Sequence, residues 1–176
     1  MDKPILPHEI KKIYEGRIFS VAVEKVTLPN GHRLDIEVVR HPGSVVIIPV
    51  TARGDIVLVR QYRHAVGRPL WELPAGSLKK DEKAEHAAIR ECIEEIGLVP
   101  SKMERLGAFL PTPGYCDEEM IFYRATGLRE PSAGDEAEPD EDEDIETRAF
   151  SPGDLRRMIQ FGEIVDLKTV AGMTWI

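Results

Sequence analysis

The chain has 176 residues, the size of one domain or of one domain with a small appendage. Its 31 acidic and 23 basic residues give a net charge of −8, which argues against binding to nucleic acid or to anionic membranes. No run of 18 apolar residues occurs, and residues 1–4 lack the apolar core of a secretory signal, so we expect no membrane span. Two cysteines, Cys92 and Cys116, do not make a disulfide framework, so we expect a cytoplasmic protein.

The N-terminal quarter of the chain is predicted to form a small antiparallel β appendage. Two runs rich in β-forming residues, 18–28 and 33–40, flank the pair Asn30-Gly31. Asn-Gly between such runs is the strongest short-range signal for a hairpin, because both residues tolerate positive φ. The segment 41–43, His-Pro-Gly, breaks the pattern. We therefore divide the chain into an appendage, residues 1–42, and a main domain, residues 43–176.

The main domain mixes strands with a few helices and does not alternate them strictly, which predicts an α/β fold with a mixed sheet. The runs 45–50 and 56–60 are almost continuously apolar, as expected of strands buried on both faces. The later predicted elements are a helix with Asp81 as its N-cap and Gly97 just past its end, strands at 103–110 and 119–125, an acidic loop at 128–144, a helix from Ser151 to Gly162, and a last helix from Asp166 toward Trp175.

The helix predicted after Asp81 carries an unusual face of carboxylates. At 100° per residue, Glu91, Glu94 and Glu95 fall within an arc of about 100°. Glu91 and Glu95 repel each other one turn apart, and both lie near the negative end of the helix dipole, so this arrangement lowers helix stability. A solvated acidic face is the ordinary interpretation. Three carboxylates on one arc also suit Mg²⁺ or Mn²⁺, and Arg90 can pair with Glu94, so the pattern favours a metal site.

The same residues resemble the Nudix box, which has the form G-x5-E-x7-R-E-U-x-E-E-x-G-U, where U is aliphatic. All seven fixed positions match: Gly76, Glu82, Arg90, Glu91, Glu94, Glu95 and Gly97. The one departure is Cys92 at an aliphatic position, where a buried thiol packs like a small hydrophobic side chain.

The resemblance implies a Nudix α/β/α sandwich and metal-dependent cleavage of nucleoside diphosphates linked to another moiety. It implies Mg²⁺, with Mn²⁺ as the alternative, at two or three ions per active site. The implied ligands are Glu91, Glu95, a variable Glu94 and the backbone carbonyl of Ala75, with Glu94 and Glu95 also counted as catalytic. Glu82 and Arg90 would hold these carboxylates in place.

Outside the box, the chain resembles the ADP-ribose pyrophosphatases over most of residues 15–175. The similarity lies in the segments 41–47, 59–63 and 72–76, and in Pro113, which stands fifteen residues past the box. It implies that a homodimer splits ADP-ribose into AMP and ribose 5-phosphate. Three alternatives stay open: another nucleotide sugar such as GDP-mannose, a dinucleotide such as NADH, and a non-catalytic nucleotide-binding module.

The subfamily resemblance also supplies candidate substrate-binding residues. Arg63 resembles an arginine that contacts the diphosphate, for which a guanidinium fork is well suited. Glu37 and Arg40 in the appendage would reach the active site of the partner in the homodimer. Pro113 and Tyr115, in the loop between the strands predicted at 103–110 and 119–125, are further candidates.

The acidic loop holds the candidate base. By default such a segment is solvated and mobile. In similar enzymes, a glutamate of this loop swings in to orient or deprotonate the attacking water. Here Glu143 fits slightly better than Glu141, and a carboxylate near a metal-bound water is what general-base catalysis needs.

Overall fold

The protein is described from a computed structural model, which covers residues 4–132 and 145–176. Within these residues the strands are Glu9–Glu15 (β1), Ser20–Thr27 (β2), Arg33–Arg40 (β3), Ser44–Pro49 (β4), Ile56–Arg63 (β5), Arg68–Glu72 (β6), Ala75–Ser77 (β7), Lys102–Phe109 (β8), Met120–Thr126 (β9) and Glu146–Phe150 (β10). The α-helices are Ala84–Ile96 (α1), Pro152–Gln160 (α2) and Leu167–Gly172 (α3), with short 3₁₀ turns at His64–Val66 and Met173–Trp175.

The appendage is a three-stranded antiparallel sheet in the order β1-β2-β3. The predicted hairpin is confirmed, and Gly31 takes the positive φ of 84° that its turn requires. Strand β1 was not predicted, because its sequence Glu-Ile-Lys-Lys-Ile-Tyr-Glu is exposed along its whole length and has no buried alternating face. The division of the chain at residue 42 stays a prediction.

The main domain contains a mixed sheet, β7-β4-β9-β8, and a smaller antiparallel sheet, β10-β5-β6. Strand β4 runs parallel to β9 and antiparallel to β7, so the predicted mixed sheet is confirmed. Strands β4 and β5 are buried as predicted, although β5 continues to Arg63, beyond the predicted end at Arg60. Strands β6 and β7 are too short to be evident from sequence.

Strand β4 shows how the layers are built. Because side chains alternate across a strand, Val45 and Ile47 pack on the α1 side with Ala88 and Cys92. Val46 and Ile48 point the opposite way and join a core that includes side chains of β5 and α2. Helices thus cover the sheets on two sides, and the α/β/α sandwich is confirmed. No helix in residues 4–132 and 145–176 has the length and apolar character needed to cross a bilayer.

Helix α1 ends at the predicted signal but does not begin at the predicted cap. Gly97 ends α1 with φ of 68°, and its N–H donates to the carbonyl of Ile93. The prediction that Asp81 caps α1 is wrong, since the cap position is Lys83 and Asp81 has a φ of 61°. The reason is the turn before the helix, where the backbone N–H of Lys79 donates to Glu82 Oε2 at 2.9 Å.

The C-terminal helices begin where the sequence predicts. Ser151 caps α2 by accepting the N–H of Asp154 at 3.1 Å, and Asp166 caps α3 by accepting the N–H of Thr169 at 2.9 Å. Helix α3 ends earlier than predicted, at Gly172, and a 3₁₀ turn carries the chain on to Trp175.

Candidate active site

A cleft of about 830 Å³ contains the carboxylates of α1. Five parts of the chain form its walls: the turn between β1 and β2, the segment between β3 and β4, the end of β5, the segment from β7 to the start of α1, and α1 itself. We call it the carboxylate cleft, and its lining residues are Arg17, Ile18, Pro42, Arg63, Ala75, Gly76, Ser77, Leu78, Lys79, Lys80, Arg90, Glu91, Glu94 and Glu95.

Strand β7 and helix α1 meet through two close approaches. Glu91 and Glu95 are buried, and Glu94 is half-buried. The Glu91 carboxylate lies directly against Gly76, in the space that a Cβ at that position would fill. The backbone N–H of Ala75 donates to Glu95 Oε2 at 2.9 Å. These contacts bring two box carboxylates next to the backbone of Ala75 and Gly76.

Arg90 organises the carboxylates around a single guanidinium. It binds Glu82 in a bidentate manner, with N–O distances of 2.9 and 3.1 Å. Its Nη1 also donates to Glu91 and Glu94, both at 2.6 Å, so the predicted pair with Glu94 is confirmed. Burial lowers the pKa of Arg90, but the carboxylates outweigh it and hold that pKa well above its ordinary value. The hydrogen bond from Arg90 in turn lowers the pKa of Glu82.

The donor set fits a hard divalent cation. Carboxylate oxygens and a backbone carbonyl are the ligands that Mg²⁺ and Mn²⁺ prefer. Within residues 4–132 and 145–176, no three His, Cys, Asp or Glu side chains are already gathered as a coordination shell. The hydrogen bonds explain this, since Arg90 holds Glu91 and Glu94 while Ala75 holds Glu95. These carboxylates must therefore adjust when a cation binds.

Arg63 enters the same cleft from the end of β5. Its guanidinium is held by the buried Glu72 through two hydrogen bonds of 2.9 and 2.8 Å. The Glu72 hydrogen bond raises the pKa of Arg63. Burial raises the pKa of Glu72, but Arg63 and Lys168 outweigh it and hold that pKa below its ordinary value. Arg63 is therefore a charged and oriented cation beside the carboxylates.

Several residues at the site were missed by the sequence analysis. Arg17, Lys79 and Lys80 add positive charge to the cleft walls. The lysine pair directly follows Gly76-Ser77-Leu78 and could have been noticed as a basic run opening the box. Glu72 and Lys168 had no such signal, because they are 96 residues apart and only the fold brings them together.

The other predicted substrate residues do not line the carboxylate cleft of the same chain. Arg40, Pro113 and Tyr115 line a second depression of about 320 Å³. Glu37 lies with Tyr115 in a third, of about 400 Å³. Arg40 forms ion pairs in this chain, with Glu24 and with Asp117. Glu141 and Glu143 lie outside the described residues.

Comparison with known proteins gives the following matches. The NUDIX domain matches residues 40–170. An ADP-ribose pyrophosphatase of Bacillus subtilis (strain 168) is 34% identical over 166 residues, covering 94% of this chain and 89% of the relative. An ADP-ribose pyrophosphatase of Mycobacterium tuberculosis is 38% identical over 162 residues, covering 92% and 77%.

Two further matches widen this comparison. A methanol dehydrogenase activator of Bacillus methanolicus is 37% identical over 168 residues, covering 94% of this chain and 89% of the relative. A crystal structure described as an ADP compounds hydrolase superposes with a TM-score of 0.78 over 98% of this chain and 91% of that chain. At 20% identity, that likeness shows the fold alone.

Proposed function

The chain belongs to the NUDIX family of hydrolases, and we propose that it splits the pyrophosphate bond of ADP-ribose into AMP and ribose 5-phosphate. The observation that carries this proposal is the carboxylate cleft, in which the glutamates of α1 share one space with the oriented Arg63. A cation site beside a guanidinium fork suits a substrate whose reacting group is a diphosphate. The similarity to two ADP-ribose pyrophosphatases supports the choice of substrate.

We propose that Glu91, Glu95 and Glu94, with the carbonyl of Ala75, hold the divalent metal that Nudix hydrolases generally need. Mg²⁺ is the proposed ion, with Mn²⁺ as the alternative and two or three ions per site. When bound, the metal neutralises charge on the diphosphate and activates the attacking water. Glu82 acts through Arg90, whose hydrogen bonds to Glu91 and Glu94 keep those carboxylates at the cleft wall.

The chain's own residues supply the remaining steps. Arg63 binds oxygens of the diphosphate and stabilises the charge that develops there. A water oxygen forms a new bond to one phosphorus, and the bridging P–O bond breaks, so that the bridging oxygen leaves with the second phosphate. A carboxylate takes the proton from the water; Glu143 is the proposed base and Glu141 the alternative.

Substrate recognition is proposed to need a second copy of the chain. Glu37, Arg40, Pro113 and Tyr115 would then complete the carboxylate cleft of the partner, in a cytoplasmic homodimer. Support comes from the appendage, whose exposed apolar side chains include Ile10, Ile13, Tyr14 and Leu34. The molar mass in solution, measured by light scattering, tests this: twice the 19.8 kDa of the chain supports the homodimer, and a monomer contradicts it.

The activity itself is tested with a panel of substrates. ADP-ribose, GDP-mannose and NADH are each incubated with the protein and Mg²⁺, and the products are separated by chromatography, with EDTA as the control. We expect AMP from ADP-ribose and none in EDTA. If GDP-mannose or NADH is cleaved faster than ADP-ribose, that compound is the better substrate and the proposed choice of ADP-ribose is wrong. Binding of ADP-ribose without turnover would favour the non-catalytic module.

A further inference from the structure

A buried ion-pair network lies behind the carboxylate cleft. Glu72 on β6 is 2% exposed, and it accepts hydrogen bonds from Arg63 on β5 and from Nζ of Lys168 on α3. The Lys168 side chain is 8% exposed, and its Nζ also lies 3.2 Å from Asp166 Oδ1. The network therefore joins the C-terminal helix to the arginine of the cleft through one carboxylate.

The two cations of this network differ in what else they reach. Arg63 is 41% exposed and lines the carboxylate cleft. Lys168 does not line that cleft and instead borders an apolar depression on another side, beside Phe109 and Met120. A guanidinium has five N–H donors, and Glu72 uses two of those on Arg63, so Arg63 can bind Glu72 and a diphosphate at once.

Lys168 helps to keep Glu72 ionised in the interior, because a buried carboxylate is costly unless charged partners and hydrogen bonds offset its loss of hydration. Glu72 has four lone-pair sites in a region almost closed to water, and Arg63 satisfies only part of them. With Lys168 removed, Glu72 would depend on Arg63 alone, which would turn the guanidinium toward the interior or free Glu72 to change its conformation. In either case, Arg63 would lose its fixed direction in the cleft.

We propose that Lys168 is a positioning residue for diphosphate binding, which it controls by fixing Glu72 and, through Glu72, the direction of Arg63. The inference rests on the proposed function, because it takes Arg63 to be the residue that binds the diphosphate. Lys168 itself contacts no substrate.

A simpler alternative is that Lys168 only anchors α3, and the neighbouring Thr169 separates the two roles. Thr169 Oγ1 accepts the backbone N–H of Leu73 at 2.8 Å, so it ties α3 to the same chain segment without touching Glu72 or Arg63. Thr169→Val therefore removes this anchor of α3, together with the hydrogen bond from Thr169 Oγ1 to Asp166 Oδ2, and keeps the hydrogen bonds of Glu72 with Arg63 and Lys168. It is the matched control for loss of helix anchoring.

The test is a double-mutant cycle on the full chain, with Lys168→Met, Arg63→Ala and the double variant. Binding of ADP in Mg²⁺ is measured by calorimetry, and KM and kcat are measured for ADP-ribose. We expect Lys168→Met to weaken ADP binding about 10-fold and to act mainly on KM. In the Arg63→Ala background, the same change should cost less than about 2-fold. Thr169→Val should lower the melting temperature and keep the affinity for ADP.

Three results overturn the inference. The first is an unchanged affinity for ADP in Lys168→Met, and the second is the same loss of affinity from Lys168→Met in the parent and in the Arg63→Ala background. The third is a loss of affinity in Thr169→Val as large as that in Lys168→Met. If Lys168→Met does not fold, Lys168→Gln, which removes the charge and leaves only a neutral donor to Glu72, takes its place in the cycle, and the same results overturn the inference. Failure of the proposed function is a separate result. A parent protein that binds ADP but does not cleave ADP-ribose contradicts the activity, while the ADP-binding cycle still decides the role of Lys168.

Discussion

Gly76 and Glu91 are in direct contact, with the Glu91 carboxylate occupying the position that a side chain at residue 76 would need. Position 76 therefore needs glycine because the Glu91 carboxylate lies so close to its backbone. Its backbone angles do not require glycine, since Gly76 does not have a positive φ. In consequence, the β7 backbone and the α1 carboxylate form one surface.

Replacing Gly76 by alanine should push Glu91 away from the backbone of β7. Because the displaced group is the end of a flexible side chain, we expect the fold to survive and cation binding to suffer. The expected result is a loss of activity of about 10²-fold or less, with half-maximal activity at a higher Mg²⁺ concentration than in the parent. Titration of the rate with Mg²⁺ measures this. Gly153→Ala, where only Ser151 Oγ lies within 4 Å, is the control, and an unchanged Mg²⁺ dependence in Gly76→Ala would contradict the proposed role of Glu91.

Asp117 pins the end of the appendage to the loop that carries Tyr115. It accepts the N–H of His41 at 2.8 Å and a hydrogen bond from Arg40 at 2.9 Å. Burial raises the pKa of Asp117, but these two donors outweigh it and hold that pKa below its ordinary value.

A dependence of stability on pH follows from this shift. Between the folded pKa and the unfolded value of about 3.9, the unfolded chain binds more protons, so Asp117 stabilises the fold above that window and stops doing so as the pH falls through it. We expect the free energy of unfolding of Asp117→Asn to depend less steeply on pH below about pH 4. Urea unfolding from pH 3 to pH 6 measures it. A variant with the slope of the parent would show that Asp117 is not held in this way.

The box helix was predictable because its signals are local. The carboxylate spacing, Gly97 and the Arg90–Glu94 pair all lie within one helix, and the structure keeps each of them. The prediction of Asp81 as the N-cap was wrong because a local turn precedes the helix. In this turn the backbone N–H of Lys79 donates to the Glu82 carboxylate.

Features that depend on long-range contacts could not be predicted from the sequence, for a different reason. Glu72 lies in a segment of family resemblance and Lys168 in none, but no sequence signal pairs the two, and their contact exists only because β6 and α3 meet in the fold. Strand β1 is an edge strand with every residue exposed, so it lacks the alternation by which strands are recognised. The direction of Arg63 likewise depends on Glu72, although its role could be expected from the family resemblance.

Asp81 has a left-handed backbone, with φ of 61°, and this gives a prediction about stability. A β-branched side chain is strained in that region, whereas glycine is not. We expect Asp81→Val to lower the free energy of unfolding by about 1–2 kcal/mol. Asp81→Gly, the matched control, should change it by less. Chemical denaturation compares the two, and equal losses in both variants would show that the side chain and not the backbone matters.

The two cysteines should react very differently. Cys92 is fully buried on α1, and burial raises its pKa to about 12, so its thiolate is scarce at neutral pH. Cys116 is only half-buried. We expect one thiol to react with a maleimide in the native protein and a second only after denaturation, and Cys116→Ser to remove the native reaction. Rapid native labelling of Cys116→Ser would place Cys92 outside the core.

The most direct test of the proposed chemistry compares the parent with Glu95→Gln, which keeps the size of the side chain and removes its charge. AMP release from ADP-ribose in Mg²⁺ is followed for both proteins, with circular dichroism to confirm that both are folded. We expect Glu95→Gln to lose about 10²–10³-fold in kcat, because the cation that stabilises the transition state is no longer held. A folded Glu95→Gln protein that releases AMP at the parent's rate would contradict the assignment of the α1 carboxylates as the metal site.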